Sequence, residues 1–243
     1  MATISRRWTV VTWNVQGRKR TDLDRVAGEL ERHTPDVVLL QEVRRPQAAE
    51  LAKRLGLHHH WMFKHHAFAP LFPRFAEGAA ILSPHVVRDC GSAVVSDATS
   101  KRSWRRRIVV WALVERNDHS AYRVFNAHLS PHELRTQRLD EADRITAIAE
   151  RFGDSPPIIT GGDLNDHGEP EVLERLPGIE HVPVPPTNPA SAPVNTLDHV
   201  LLPADATDVE LDVPSGGPQW DRVSDHLPVM VRFSMDWVAG DFT

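Results

Sequence analysis

The chain has 243 residues, 41% hydrophobic and 25% charged, a balance usual for a soluble globular protein. Its formal net charge of −5 speaks against a surface coated in nonspecific nucleic-acid affinity while leaving room for a local basic patch, and the single Cys90 excludes an intramolecular disulfide framework. No apolar run approaches the roughly 18 residues that span a bilayer, and none of signal-peptide length follows the basic "MATISRRW", so a cytoplasmic, reducing setting is expected.

Taken in chain order, "WTVVTWNV" (8–15) reads as the first buried strand, short, Val-rich and bounded by polar residues. In "TDLDRVAGELERH", Leu23, Val26, Ala27 and Leu30 fall on one helical face, with Asp22 placed as N-cap. "DVVLL" (36–40) is a strand, and "RPQAAELAKRLG" is a helix with Pro46 near its start and Gly56 just past its end. Further strands are predicted at "GAAIL" (78–82), "RIVVWALV" (107–114) and "YRVFNAHL" (122–129), the last two joined by "ERNDHSA" as an antiparallel hairpin. The longest helix is expected over "SPHELRTQRLDEADRITAIAERFG", with Ser130 as cap, Pro131 at its first position and Gly153 as terminator. "PIITGG" (157–162), "LDHVLL" (197–202) and "PVMVRF" (228–233) complete the strands, and "SMDWVAGDFT" reads as a frayed or packed end. Proline-rich "VPVPPTNPASAPVN" (182–195) is expected to be a long surface loop beside a functional edge, since too little chain follows it for a second domain. Strands and helices are interspersed without strict alternation, which favours a single mixed-sheet α+β domain over residues 1–243 with helices outside.

Several of these strands end in a polar residue that the apolar body does not explain: Asn14, Glu42, His128, then Asp163 and Asn165. Asp198 and the pair Asp225–His226 stand beside two more apolar runs. Burying an ionised carboxylate costs several kcal/mol, of order 5, unless it is paired or holds a metal. Positions two apart on an extended chain share a face, so Asp163 and Asn165 can address one object. Carboxylate and amide oxygens suit a hard divalent cation such as Mg²⁺ or Mn²⁺, and the thiolates that would favour zinc are missing. Each of these residues alone reads as a cap, a turn residue or a packed histidine. Their joint appearance is what speaks for function.

In order, "TWNVQG", "LLQEV", "NAHL", "GGDLN", "TLDHV" and "SDHLPV" resemble the signature blocks of the endonuclease/exonuclease/phosphatase superfamily. That group includes DNase I-like nucleases, apurinic endonucleases, neutral sphingomyelinases, inositol-phosphate 5-phosphatases, deadenylases and tyrosyl-DNA phosphodiesterases. The blocks span residues 11 to 229. The resemblance implies a four-layer α/β/β/α sandwich of two mixed, mostly antiparallel sheets, with a metal-dependent phosphoesterase site at one rim. It further implies Glu42 as principal metal ligand, with Asn14 and Asp225 close to the ion. Asp163 would orient or deprotonate the attacking water, and Asn165 and His128 would hold phosphate oxygens or stabilise the transition state. His226 would act on the phosphoryl group with Asp198 fixing its ring, on a loop before the last strand where Asp225 and His226 can both turn inward. Apurinic endonucleases place a tyrosine where this chain has His128, and the only tyrosine here, Tyr122, lies within a strand, so an abasic-site role is disfavoured.

"LHHHWMFKHH" (57–66) invites a zinc reading, but adjacent histidines on an extended chain face opposite ways and no cysteine or carboxylate pair accompanies them. His199 is expected to face away from Asp198 and pack. "KRSWRRR" (101–107), five cations including Arg105, Arg106 and Arg107 with a tryptophan among them, is either a solvated face or, beside a phosphoester site, a contact for single-stranded or duplex nucleic acid. The function read from the sequence is a Mg²⁺- or Mn²⁺-dependent phosphodiesterase acting on nucleic acid, without membrane insertion. Its rivals are a phospholipid or inositol-phosphate hydrolase, and a catalytically silent scaffold, against which the full set of metal and histidine positions argues.

Overall fold

A computed structural model of the protein describes residues 3–19, 21–66, 76–153, 155–167, 170–178 and 180–238. The eight apolar runs are all strands: β1 (Thr3–Asn14), β2 (Val37–Arg44), β4 (Glu77–Ser83), β6 (Ile108–Glu115), β7 (Ala121–His128), β8 (Ile158–Asp163), β10 (Asp198–Leu202) and β12 (Val229–Val238). Four more are β3 (His58–His65), β5 (Val86–Val94), β9 (Glu180–His181) and β11 (Thr207–Asp212). Two 6-stranded sheets result, in the orders β11-β12-β1-β2-β4-β3 and β5-β6-β7-β8-β10-β9. Within them β1–β2 and β7–β8 run parallel, the other pairs antiparallel, including the expected β6–β7 hairpin.

Side-chain alternation builds the layers. Trp8, Val10, Leu39 and Ile81 of the first sheet pack onto Val110, Val124, Ile159 and Val200 of the second, closing the central core. Their neighbours Val11, Trp13, Val38 and Leu40 point outward beneath α1 (Leu23–His33) and α2 (Arg45–Leu55). Val109, Phe125 and Ala127 do the same beneath α3 (Arg135–Ala149) and the short α4 (Pro170–Leu173). The sandwich therefore has four layers, helices outside. No helix among the described residues is long and apolar enough to cross a membrane.

Helix ends follow local chemistry, with one correction. Asp22 caps α1 by accepting from the Asp24 and Arg25 amides, and Gly56 closes α2 in the left-handed region at φ 65°. Ser130 does not cap α3, which begins at Arg135. Its amide and hydroxyl instead donate to the buried Glu141 carboxylate at 2.7 and 2.6 Å, which draws residues 131–134 into a turn. Of the C-terminal segment, the part up to Val238 extends β12 against Thr3, so it is paired rather than frayed; residues 239–243 lie outside the described residues.

At the end of the sandwich remote from the strand termini Asn14, Glu42 and His128, Asp36 joins the two sheets. It accepts from the Thr9 amide (2.8 Å), lies 2.7 Å from His85 Nε2 and pairs with Arg116 at 2.5 Å, while Arg116 covers the Trp8 ring at 4.2 Å. Burial pushes the Asp36 carboxyl up, but the bonds from His85 and Arg116 outweigh it and hold the group below its ordinary range. A depressed carboxylate contributes stability above its unfolded pKa, near pH 4, and loses it as the pH falls through the lower folded value. Asp36→Asn should therefore lower unfolding stability by about 2 kcal/mol at pH 7. In urea titrations the gap to wild type should close in acid; a constant gap would show that the charge is not what matters.

Candidate active site

Register places the site. β7–β8 pairs His128 with Asp163 and β8–β10 pairs Asp163 with Asp198, so three of the expected residues stand abreast on adjacent strands. Parallel β1–β2 brings Asn14 opposite Gln41, one residue before Glu42, on the facing sheet. The β2 backbone there slips register against β4 between Leu40 and Val43, and Glu42 takes φ 51°, a left-handed conformation that is strained for a glutamate. The doubled glycine of "TGGD" has a packing reason. At Gly162 (φ 152°) a Cβ would stand 1.8 Å from the Ala127 carbonyl oxygen. Gly162→Ala is thus expected to push β8 off β7, costing about 3 kcal/mol or more and misplacing Asp163; thermal melting would register it, and an unchanged Tm would refute the close approach.

Between the two sets of strand ends lies a cleft of about 290 Å³, lined by Asn14, Glu42, His128, Asp163, Asn165, Asp225, His226 and Arg107 of the predicted residues. Asp198 stands behind His226 rather than in the wall. Its Oδ2 lies 2.8 Å from His226 Nδ1 and also accepts from the Thr187 hydroxyl at 2.6 Å. Asn14 Nδ2 donates to Asp163 Oδ2 at 2.9 Å, and Asn165 Nδ2 donates to the Leu129 carbonyl at 3.0 Å, which leaves one of its amide hydrogens for another acceptor. His199 packs on the far side of β10, its Nε2 3.1 Å from the Asp166 carbonyl. The proline-rich loop does border this edge, through Thr187.

Asp225 and His226 lie on the loop before β12, which is pinned to β1. Ser224 Oγ donates to the Asn14 carbonyl at 2.5 Å and accepts the His226 amide at 3.1 Å, and Trp13 Nε1 donates to the His226 carbonyl at 2.9 Å. Asp225 Oδ2 accepts from Gln16 Nε2, while its Oδ1 is buried with no partner among the described residues. No side chain donates to Glu42 among the described residues; His128 Nδ1 stands 4.0 Å away.

The charges in the cleft are mutually strained. Burial, reinforced by Glu77 and Asp225 and opposed by Lys64, pushes the Glu42 carboxyl up. Asp163 is pushed up by burial to about 6 even though His226 pulls it down. For His226 burial works downward, yet Asp198 and Asp163 overcome it and raise the imidazole to about 10. His128, buried and facing Lys64 and Arg107, goes well below its ordinary value. An excess of close carboxylates, one bearing an orphaned oxygen, is what a divalent cation relieves. Glu42, Asp225 Oδ1 and Asn14 Oδ1, which also accepts the Gln16 amide at 3.1 Å, line the same cleft and would offer such an ion an all-oxygen donor set. A second group, Asp163, Asp198 and His226, has ligand atoms within 4.8 Å of one another. There the Asp198 Oδ2 contacts to His226 and Thr187 are those of an oriented imidazole more than of an ion cage.

The arginine run differs from a uniform solvated or backbone-tracking face. Arg105 is exposed, but Arg106 turns inward to donate to the Phe63 carbonyl at 3.1 Å and to that of Lys64. Arg107 enters the cleft, only 4% exposed, with Nη1 3.4 Å from His128 Nε2 and with Nε unpartnered among the described residues. Among the described residues it pairs with no carboxylate. Removing all three arginines would therefore disturb β3 and the cleft together.

Trp104 of the weighed run 101–107 lines the cleft as well, and so do Lys64, His65, Glu77 and Gln16, which were not singled out as site residues. Glu77 shows the signal used elsewhere, a carboxylate directly before an apolar strand body; Lys64, which pairs with it at 2.7 Å, hides among the histidines. Thr187 carries no sequence signal. A larger cavity of about 630 Å³ lies across β10, beside α4, between Leu173, Val184, His199 and Leu201; its lining shares no residue with the cleft, and none of this chemistry reaches it.

Fold and cleft define a DNase I-like sandwich, two mixed sheets with an acidic, imidazole-bearing rim. The chain matches the model of the Endonuclease/Exonuclease/phosphatase family over residues 11–226 and belongs to that family. Among solved structures it is similar to a family protein from Leptotrichia buccalis (19% identity, TM-score 0.73, 93% of this chain and 99% of that one). It is also similar to a mannosyl-6-phosphatase from Bacteroides thetaiotaomicron (17%, 0.70, 93% and 99%) and to the human Nocturnin catalytic domain with bound sulfate anion (19%, 0.70, 96% and 96%). At these identities the likeness speaks for the fold. No curated protein matches the sequence.

Proposed function

We propose that the protein is a divalent-cation-dependent phosphodiesterase, one domain acting on nucleic acid in the cytoplasm. The observation that carries this reading is that His128, Asp163 and His226, the last backed by Asp198, share one cleft with the carboxylates of Glu42 and Asp225. Glu42, Asp225 and Asn14 would hold Mg²⁺ or Mn²⁺, which when bound neutralises charge developing on phosphoryl oxygens. Asp163, fixed by Asn14, takes the proton of the attacking water. His226, held as imidazolium by Asp198, offers its Nε2 proton to the leaving oxygen. A P–O bond forms to the water oxygen, the P–O bond to the leaving group breaks, and both protons are accounted for. Arg107 supplies a buried guanidinium that forms no ion pair with a carboxylate among the described residues, a receptor for a phosphate oxygen. Arg107 together with the exposed cations of 101–105 favours a polyanionic substrate.

The test is a panel of bis-p-nitrophenyl phosphate, single- and double-stranded DNA, RNA, inositol phosphates, mannose 6-phosphate and sphingomyelin, each with Mg²⁺, Mn²⁺ or EDTA. Cation-dependent cleavage of nucleic acid is expected. Turnover confined to a sugar phosphate or a lipid would reassign the substrate, and turnover unaffected by EDTA would remove the cation.

A further inference from the structure

Trp104 has no role in the hydrolytic scheme, yet it is 55% exposed and lines the cleft. Single exposed hydrophobic residues are ordinary; this one is distinguished by how it is held. Of the large hydrophobic residues exposed among the described residues, it alone is aromatic. Its loop is tied down on both flanks. The Val95 amide donates to the Arg107 carbonyl at 3.0 Å, the Arg107 amide to Ser96 Oγ at 2.8 Å, and the His66 amide to the Lys101 carbonyl at 2.9 Å. Within the loop, the Arg106 amide donates to the Ser103 carbonyl at 3.1 Å, and the Arg106 side chain is bound to the β3 backbone. The indole thus projects from an anchored turn rather than from a free loop. The Arg105 guanidinium lies over its ring at 5.3 Å, covering one face and enriching the π system's neighbourhood in positive charge.

We infer that Trp104, backed by Arg105, is a stacking platform at the cleft mouth for an unpaired nucleobase beside the phosphate held at Arg107. This rests on the hydrolytic reading of the same cleft and narrows its substrate to single-stranded nucleic acid. A base inside a duplex has both faces covered by its neighbours, so only an unstacked one can present a face to an indole. The Arg105 guanidinium on the opposite face and the exposed Lys101 and Arg102 of the same loop match a ring carried on a continuing phosphodiester backbone. A lone sugar phosphate would leave those cations without a partner.

The test is binding, which does not depend on turnover. A fluorescent phosphorothioate oligothymidylate, resistant to cleavage, is titrated by anisotropy at low salt with Mg²⁺ against wild type, Trp104→Ala and Trp104→Phe. Trp104→Ala should weaken binding about tenfold and Trp104→Phe by no more than about threefold, the range set by base–aromatic stacking. An oligomer of the same length with abasic sites throughout, and a blunt duplex, should bind all three proteins alike. Wild-type affinity in Trp104→Ala, an equal loss on the abasic oligomer or the duplex, or no binding of the oligomer by wild type would each overturn the platform. So would an equal loss of mannose 6-phosphate competition, which would assign the ring to a sugar. If the panel above shows no hydrolysis while Trp104→Ala still loses only the base-bearing oligomer, the hydrolytic reading falls and the platform stands.

Discussion

Glu42→Gln is expected to lower turnover of any phosphodiester substrate by about three orders of magnitude while leaving the melting temperature at or above that of wild type. The substitution keeps the shape of the side chain and removes its charge. Glu42 receives no hydrogen bond from another side chain among the described residues and is pushed toward neutrality by burial, Glu77 and Asp225, so the fold gains nothing from its ionised form. A cation does gain from it, since Glu42 and Asp225 are the two carboxylates of the proposed oxygen donor set. Loss of several kcal/mol of charge neutralisation corresponds to the expected rate, at about 1.4 kcal/mol per decade. The concentration of Mg²⁺ giving half-maximal activity should also rise. A mutant that turns over normally at sub-millimolar Mg²⁺ would remove Glu42 from the ion's coordination.

Asp198→Asn should cost still more, about 10³- to 10⁴-fold in kcat, without a change in Mg²⁺ requirement. Asp198 is wholly buried and its Oδ2 is the atom that fixes the His226 ring; an amide there offers a neutral acceptor or a donor that opposes Nδ1–H, and the imidazolium loses its counter-charge. Thr187→Val removes the second donor to the same oxygen and is expected to cost about tenfold, through orientation alone. The pair of measurements separates the two cation positions the cleft offers. If Asp198→Asn raises the Mg²⁺ requirement as Glu42→Gln does, the ion sits among Asp163, Asp198 and His226 instead.

The parts of the fold legible in the sequence share a position. The eight strands that show as apolar runs are the inner strands of both sheets, covered on two faces, whereas β3, β5, β9 and β11 are the four edges. An edge strand meets solvent along one side, and "HHHWMFKH", "VVRDCGSAV" and "TDVELD" carry polar residues that hide the alternation. That loss propagated into the site. Lys64, His65 and Glu77 are neighbours only because β3 pairs with β4, His65 opposite Glu77, so without the strand the buried ion pair could not be foreseen. The strand-end residues were legible for the opposite reason: each follows or precedes an apolar body that makes its polarity conspicuous. Arg106 and Arg107 look identical to Arg105 in sequence and are separated by which carbonyls and which cleft their side chains can reach. Thr187 is fixed by the Asn195 carbonyl, to which its amide donates at 2.8 Å, and by the Leu227 amide, which donates to its carbonyl at 2.9 Å; tertiary contacts of that kind leave no local pattern.

The second sheet is made from one uninterrupted stretch, 86 to 202, while the first takes strands from both sides of it, with β12 laid against β1 from Thr3↔Val238 to Thr12↔Val229. Biogenesis inherits an order from this. As the polypeptide is synthesised, the middle sheet can complete itself from neighbours in sequence, but the outer one waits for its final strand, the contact of greatest separation along the chain. Asp225 and His226 arrive with that strand, anchored by Ser224 to the Asn14 carbonyl. Until β12 docks, the chain therefore has no assembled cleft, however much of the second sheet has already formed.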